Sequence, residues 1–277
     1  MLGGGVSFVK GDYRIYVRLS NMTTASNPNY MASLARGLEV MRGFSREKRQ
    51  MSIAQLAQKT GIPRASVRRC LYTLAQLGYV GTDDGRNYAL RPKVLGLGHA
   101  YLSATPLVVT AQPFLDRVSA AVKESCSLAI LDGEDILYLA RSVTSRIISV
   151  TLNVGSRLPA HCTSIGYVLL ASLPPRTLDD YLRRAELRSF TERTLTSRDR
   201  LREELARVRD QDWAIADRLM EIDLRSIAVP VRNAAGTLLA GINVIVQAER
   251  VSLRDMRTRY LPQLQAAAAE LGAQLAP

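Results

Sequence analysis

A chain of 277 residues that is 47% apolar and 22% charged has material for two domains with proper cores, and its composition excludes disorder on a large scale. Cys70, Cys126 and Cys162 are odd in number, widely separated and without a Cys-x-x-Cys, so neither a disulfide framework nor a zinc site is supported, and a reducing cytoplasm is the expected setting. The net charge of +12 is concentrated: residues 31–93 carry twelve Lys and Arg against four Asp and Glu, a net of +8, while from Val94 onward the counts are 22 and 20. That favours a local polyanion-binding surface over a generally basic protein. No stretch approaches the roughly 18 apolar residues of a membrane span and no apolar signal segment opens the chain, so no membrane partner is expected.

Residues 1–29 contain Gly3-Gly4-Gly5 and end rich in Asn, Thr and Ser. They read as a flexible arm or as an extension from an upstream start codon, with Met22 and Met31 as alternative starts; a basic arm touching DNA is the functional alternative. Ser33 is the expected cap of a first helix, on which Leu34, Leu38, Met41 and Phe44 form an apolar stripe. Ser52 caps a second helix, with Gln55 completing a capping box and Ile53, Leu56 and Ala57 forming one face before Gly61-Ile62-Pro63 stops it. A third helix restarts at Arg64 and runs to about Leu77, because Val67, Leu71, Leu74 and Leu77 recur at spacings of three and four. Two short helices around a tight Gly turn make a helix-turn-helix.

The other face of that third helix carries Ala65, Arg68, Arg69, Tyr72 and Gln76. Small residues at its start, Ala65 and Ser66, allow close approach to a major groove, where Arg reads guanine and Gln reads adenine through paired hydrogen bonds. With Ser52 and Arg64 at the helix starts, these are the candidate DNA contacts; the alternative is an ordinary solvated helix face. Tyr79-Val80 and Tyr88-Ala89-Leu90 then pair as strands around an Asp-Gly turn, which makes the wing of a winged helix and puts Arg86 where a wing touches phosphate. The winged helix-turn-helix domain spans residues 30–91.

A linker helix follows over residues 92–106, opened by Pro92 and apolar on more than one side through Leu95, Leu97, Tyr101 and Leu102. Such a helix packs on something, and a dimer partner is the economical choice, since helix-turn-helix proteins meet palindromic sites as two-fold dimers. His99 on this helix reads as a packing or capping residue. Residues 107–277 form the second domain: a helix through Phe114 and Val122, a hairpin around Asp132-Gly133-Glu134-Asp135, a strand from Ile147 to Leu152, helices at 163–171, 178–186 and 197–208, a second hairpin around Asn233-Ala234-Ala235-Gly236, and a last helix from Leu253 to Leu275. Helices flanking a mainly antiparallel sheet make the class α+β.

From Ser33 to Leu275 the chain resembles the IclR family of bacterial transcription regulators. Residues 33–38 (SLARGL) and 61–69 (GIPRASVRR) are similar to that family's winged-helix signature; residues 155–164 (GSRLPAHCTS) and 224–231 (LRSIAVPV) are similar to its effector-binding domain. Within the family, residues 158–164, 221–228 and Ile242-Asn243-Val244 look most like regulators of protocatechuate, 4-hydroxybenzoate and β-ketoadipate catabolism. Asp223 stands where the family usually has Gly, and Ile245 where it usually has Ser. The resemblance implies a GAF-like second domain that binds a small carboxylic acid, dimers that pair into tetramers, double-stranded operator DNA as partner and, for an activator, RNA polymerase. It also implies an effector pocket with Ile147, Val150 and Leu158 on its apolar side, Cys162, Ile165 and Leu224 beside them, and Ser164, Ser226 and Asn243 as hydrogen-bonding groups. Arg225 is then either the cation that balances a carboxylate or the partner of Glu221 or Asp223 in a salt bridge that shapes the loop.

His161-Cys162 invites a second reading, an enzyme or redox sensor using Cys162 with the winged helix as an interaction module. In an extended segment the two side chains would point to opposite sides, which argues against a thiol-imidazole pair. The sequence has no metal-binding His pair, no Gly-rich phosphate loop and no convincing Ser/His/Asp set, so neither a cofactor nor a catalytic residue is expected.

Overall fold

A computed structural model describes residues 28–45, 48–144 and 152–275. Most of the N-terminal arm, the body of the strand expected at Ile147 to Leu152, and with it Ile147 and Val150, lie outside the described residues. One compact unit runs to Ala104 and a second begins at Thr105.

In the first unit, α1 spans Ala32–Arg42, β1 Gln50–Ser52, α2 Ile53–Thr60, α3 Arg64–Gln76, β2 Val80–Thr82 and β3 Asn87–Leu90. The capping box forms as the sequence predicts: Gln55 N donates to Ser52 Oγ at 3.3 Å and Ser52 N donates to Gln55 Oε1 at 2.8 Å. Gly61 closes α2 at φ 70°, a left-handed conformation that a Cβ would strain. Val40, Met51, Leu56, Val67, Leu71, Leu74 and Val80 form the core. β3 pairs with β2 in the wing and also with β1, so the sheet has order β1-β3-β2. The β1 partner was not legible in the sequence.

One expectation about this unit is corrected. Ser33 lies inside α1; the helix is capped at Met31, with no side-chain hydrogen bond. The apolar stripes of α1 and α3 are not wholly buried: Val40 is, but Leu34, Leu38 and Leu77 are 58%, 50% and 51% exposed. They border an open groove between α1 and α3, together with Met31 and Met41. Past the wing, a 3-10 turn at Pro92–Val94 leads into α4, Leu95–Ala104, in which no residue is buried and Leu95 and Leu97 are 75% and 53% exposed.

The second unit opens with α5 (Pro106–Val122) and contains β4 (Ser125–Asp132), β5 (Asp135–Ser142), β6 (Arg157–Pro159), α6 (Ser164–Ala171), α7 (Pro175–Arg184), α8 (Arg198–Gln211), β7 (Ala214–Asp217), β8 (Leu224–Arg232) and β9 (Leu238–Gln247). The last helix is broken into α9 (Leu253–Asp255), a π turn over Met256–Tyr260 and α10 (Leu261–Ala273). The strands form one antiparallel sheet of order β6-β5-β4-β9-β8-β7, which satisfies the α+β expectation. Alternation along the strands sends Ala129, Tyr138, Ala228 and Ile245 into a core shared with α6, α7 and α8. Helix α6 packs directly on β9 because Gly241 leaves room: a Cβ there would meet Ile165 Cγ2 at 2.9 Å. Ile165 is thus a core contact between α6 and β9.

Candidate functional site

On α3 the residues expected to meet DNA are largely free. Arg64, Ala65, Arg68, Arg69, Tyr72 and Gln76 are exposed, while Ser66 is half-buried and, with Arg69, borders the groove against α1. Ser52 is occupied by its capping box, so its hydroxyl orders the start of α2 before it can serve anything else. The wing is organised by Asp84. Its Oδ1 accepts hydrogen bonds from Thr82 Oγ1 (3.1 Å), Arg86 N (2.8 Å) and Asn87 N (2.7 Å), which hold the carboxyl well below the usual carboxylate range and leave the exposed Arg86 at the tip. Arg91 pairs with Asp83 at 2.7 Å, and Lys93 Nζ donates to the Leu77 carbonyl at 2.9 Å, fastening the end of the wing to the end of α3.

In the second unit a cavity of about 60 Å³ opens on the α6 side of the sheet. Its wall includes Leu158, Cys162, Leu224, Ser226 and Asn243, the expected group, with Ile245, noted in the sequence as a departure from the family pattern, and Tyr138, Leu152, Ala216, Leu219 and Met220, which sequence reasoning did not select. Ser164 Oγ donates to Ser226 Oγ at 2.8 Å, so the first residue of α6 backs the serine of β8. Ile245 adds an apolar side chain to the wall, whereas Asp223 is exposed and its carbonyl accepts from Ala248 N.

Arg225 has a counter-ion that neither alternative named. It borders the cavity, but its Nε donates to Asp217 Oδ1 at 2.7 Å, across the β7–β8 pair, and a terminal nitrogen donates to the Val251 carbonyl at 2.5 Å. Strand alternation puts it on the opposite sheet face from Ser226. Its counter-ion is Asp217, supplied by a four-residue strand that the sequence reading missed, and not Glu221 or Asp223.

His161 and Cys162 lie in a 3-10 turn, Ala160–Cys162, and not in an extended segment as expected. They are nevertheless turned to different partners: His161 Nε2 meets the Arg188 carbonyl at 3.0 Å, and Cys162 Sγ the Pro159 carbonyl at 3.4 Å. Burial pushes the Cys162 thiol up to about 12, and the Asp135 carboxylate pushes the same way. A reactive thiolate needs the opposite environment. Among the described residues no group of three or more His, Cys, Asp or Glu is placed to hold a metal ion, and no single helix is long and apolar enough to cross a membrane.

Residues 33–84 match the IclR helix-turn-helix domain, and residues 99–273 match the family described as bacterial transcriptional regulator IclR C-terminal. The chain belongs to the IclR family. Within it, the chain is 51% identical over 250 residues to the Pca regulon regulatory protein of Pseudomonas putida, covering 90% of this chain and 86% of that one. It is 34% identical over 248 residues to the p-hydroxybenzoate hydroxylase transcriptional activator of Acinetobacter baylyi, covering 88% and 91%. The crystal structure of the inducer-binding domain of the PobR transcription factor from Acinetobacter, a double mutant in complex with 3-hydroxybenzoic acid, superposes with a TM-score of 0.58 at 32% identity, covering 62% of this chain and all of that one. This IclR chain is therefore a transcriptional regulator of the Pca/Pob type, with a helix-turn-helix for DNA and a second domain of the effector-binding kind.

Proposed function

We propose that this regulator controls an aromatic-acid catabolic operon in the cytoplasm by binding double-stranded, palindromic operator DNA as a two-fold dimer, with effector domains pairing dimers into a tetramer. Residues 30–91 dock on DNA, residues 92–106 transmit, and residues 107–277 sense a small carboxylic acid. Arg64, Ala65, Arg68, Arg69, Tyr72 and Gln76 face the major groove, with Ser52 and Ser66 at its margin and Arg86 on the flanking phosphate. Leu158, Cys162 and Leu224 supply the apolar side of the effector site, with Ile147 and Val150 beside them by family resemblance. Ser226, backed by Ser164, and Asn243 supply its hydrogen bonds. The protein works by binding and not by catalysis, and where it activates transcription its partner is RNA polymerase.

The observation that carries this reading is the pairing of an exposed, donor-bearing α3 in one unit with a polar-floored cavity in the other. An open volume of about 60 Å³ lies far below the roughly 300 Å³ at the small end of ligand pockets, so an aromatic acid enters only if the wall yields. Displacement of that wall gives the ligand different affinities for two arrangements of the protein, and that difference limits the switch. Calorimetric titration with protocatechuate, 4-hydroxybenzoate and β-ketoadipate tests the reading. At least one acid is expected to bind with heat that saturates at one site per chain; heats no larger than dilution for all three would end the effector assignment.

A further inference from the structure

Directly opposite residues on neighbouring antiparallel strands share a sheet face. Arg141 of β5 lies opposite Ser127 of β4, and Ser127 lies opposite Asn243 of β9, so the three form one polar row across the centre of the sheet. The row is on the cavity side, since Asn243 lines the cavity. A bulge helps to compose it: Ala129 pairs with Tyr138 while Leu128 pairs with Ala140, so Leu139 is skipped and Tyr138, another cavity residue, falls on the same face as Arg141.

This row holds polar atoms without protein partners. Ser127 and Asn243 are 0% and 2% exposed, yet Ser127 Oγ and Asn243 Oδ1 have no hydrogen bond, and neither has the buried Nε of Arg141. Groups taken out of water without partners are costly, and an interior keeps them only where something else satisfies them. Arg141 is also an uncompensated charge. Arg225 is neutralised by Asp217 and Arg157 by Asp132 and Asp135, whereas no acidic side chain among the described residues pairs with Arg141. Its guanidinium donates to the carbonyl of Leu152, itself part of the cavity wall. Burial lowers its pKa, as expected of a cation lacking its counter-ion.

We propose that Arg141, with Ser127 beside it, is the carboxylate anchor of the effector site, Arg225 being already neutralised by Asp217. The ligand class follows from the row. Arg141 and Asn243 are two strands apart, roughly 10 Å at the backbone, and Ser226 lies on the next strand, so the site takes a carboxylate whose far end carries a second hydrogen-bonding group for Asn243 and Ser226.

The inference rests on the effector reading, and the test separates the two. Wild type, Arg141→Gln, Arg141→Lys and Arg225→Gln are titrated by calorimetry with protocatechuate, 4-hydroxybenzoate and β-ketoadipate, and with the methyl ester of whichever acid wild type binds most tightly. Arg141→Gln is expected to weaken the acid roughly tenfold or more while leaving the ester nearly unchanged, and Arg141→Lys to recover part of the loss. Arg225→Gln should lower the melting temperature but keep the ratio of acid to ester affinity. A misfolded Arg141→Gln loses acid and ester alike, and wild type then decides: a methyl ester bound as tightly as the acid overturns the proposal. An unchanged ratio in a folded Arg141→Gln overturns it too, with the effector reading intact. No acid binding to wild type removes both.

Discussion

Ser164 Oγ donates to Ser226 Oγ at 2.8 Å, and this one bond ties the start of α6 to the strand that edges the effector cavity. Ser226→Ala leaves the fully buried Ser164 hydroxyl without that partner, so it is expected to cost about 1–3 kcal/mol of stability and to weaken acid binding as well. Urea denaturation and calorimetry on the same variant read the two effects. A loss of stability with wild-type acid affinity would mean that Ser226 is structural and the ligand sits elsewhere.

Arg68 and Arg69 should differ in kind from Arg86. Replacing a base-reading arginine by Ala is expected to cost roughly 1–3 kcal/mol and to relax preference at one operator position. Arg86→Ala, at the wing tip, should weaken all sequences alike and reduce the salt dependence by about one phosphate contact. Binding measured against an operator library and a salt series distinguishes them; equal, sequence-independent losses at all three positions would refute the division.

The exposed apolar groove of α1 and α3 and the bare leucines of α4 predict self-association through the first unit. Sedimentation at micromolar concentration should find at least a dimer, and Leu38→Asp or Leu97→Asp should shift it toward monomer while circular dichroism is preserved. A wild-type monomer that binds a single half-site would contradict this.

His161 gives a pH prediction with a definite sign. Burial lowers its pKa below the ordinary 6.5, against the smaller opposing pull of the Arg188 carbonyl and Asp135. The folded state therefore holds fewer protons on this group than the unfolded chain does, so its contribution to stability is present above 6.5 and is lost as pH falls through and below that value. Melting temperatures of wild type and His161→Gln should converge between pH 7.5 and pH 5; a constant gap would show that the imidazole does not titrate differently on folding.

The sequence exposed what is local. The Ser52–Gln55 box, the Val67/Leu71/Leu74 stripe and the Asp-Gly wing are each settled within one or two turns of chain, and each appears where expected. Periodicity identifies an apolar face on α1 but not what covers it, and Leu34 and Leu38 stay outside the core. The short strands β1 and β7 are defined by partners far along the chain, and without β7 the Asp217 that engages Arg225 is invisible. Ser127 and Arg141 belong to no motif. The one local hint was polar residues within an apolar run at β4, and only the pairing of β5, β4 and β9 brings them to Asn243.

The central claim, that an acid bound in the second unit alters what the first does on DNA, is tested most directly by footprinting the DNA beside the regulator's own gene with and without protocatechuate, 4-hydroxybenzoate and β-ketoadipate, at fixed salt. The account predicts protection of a palindromic site whose extent or half-saturating protein concentration shifts with one of these acids and not with its methyl ester. Identical protection in the presence of an acid that calorimetry shows to be bound, with transcription equally unmoved, would contradict it.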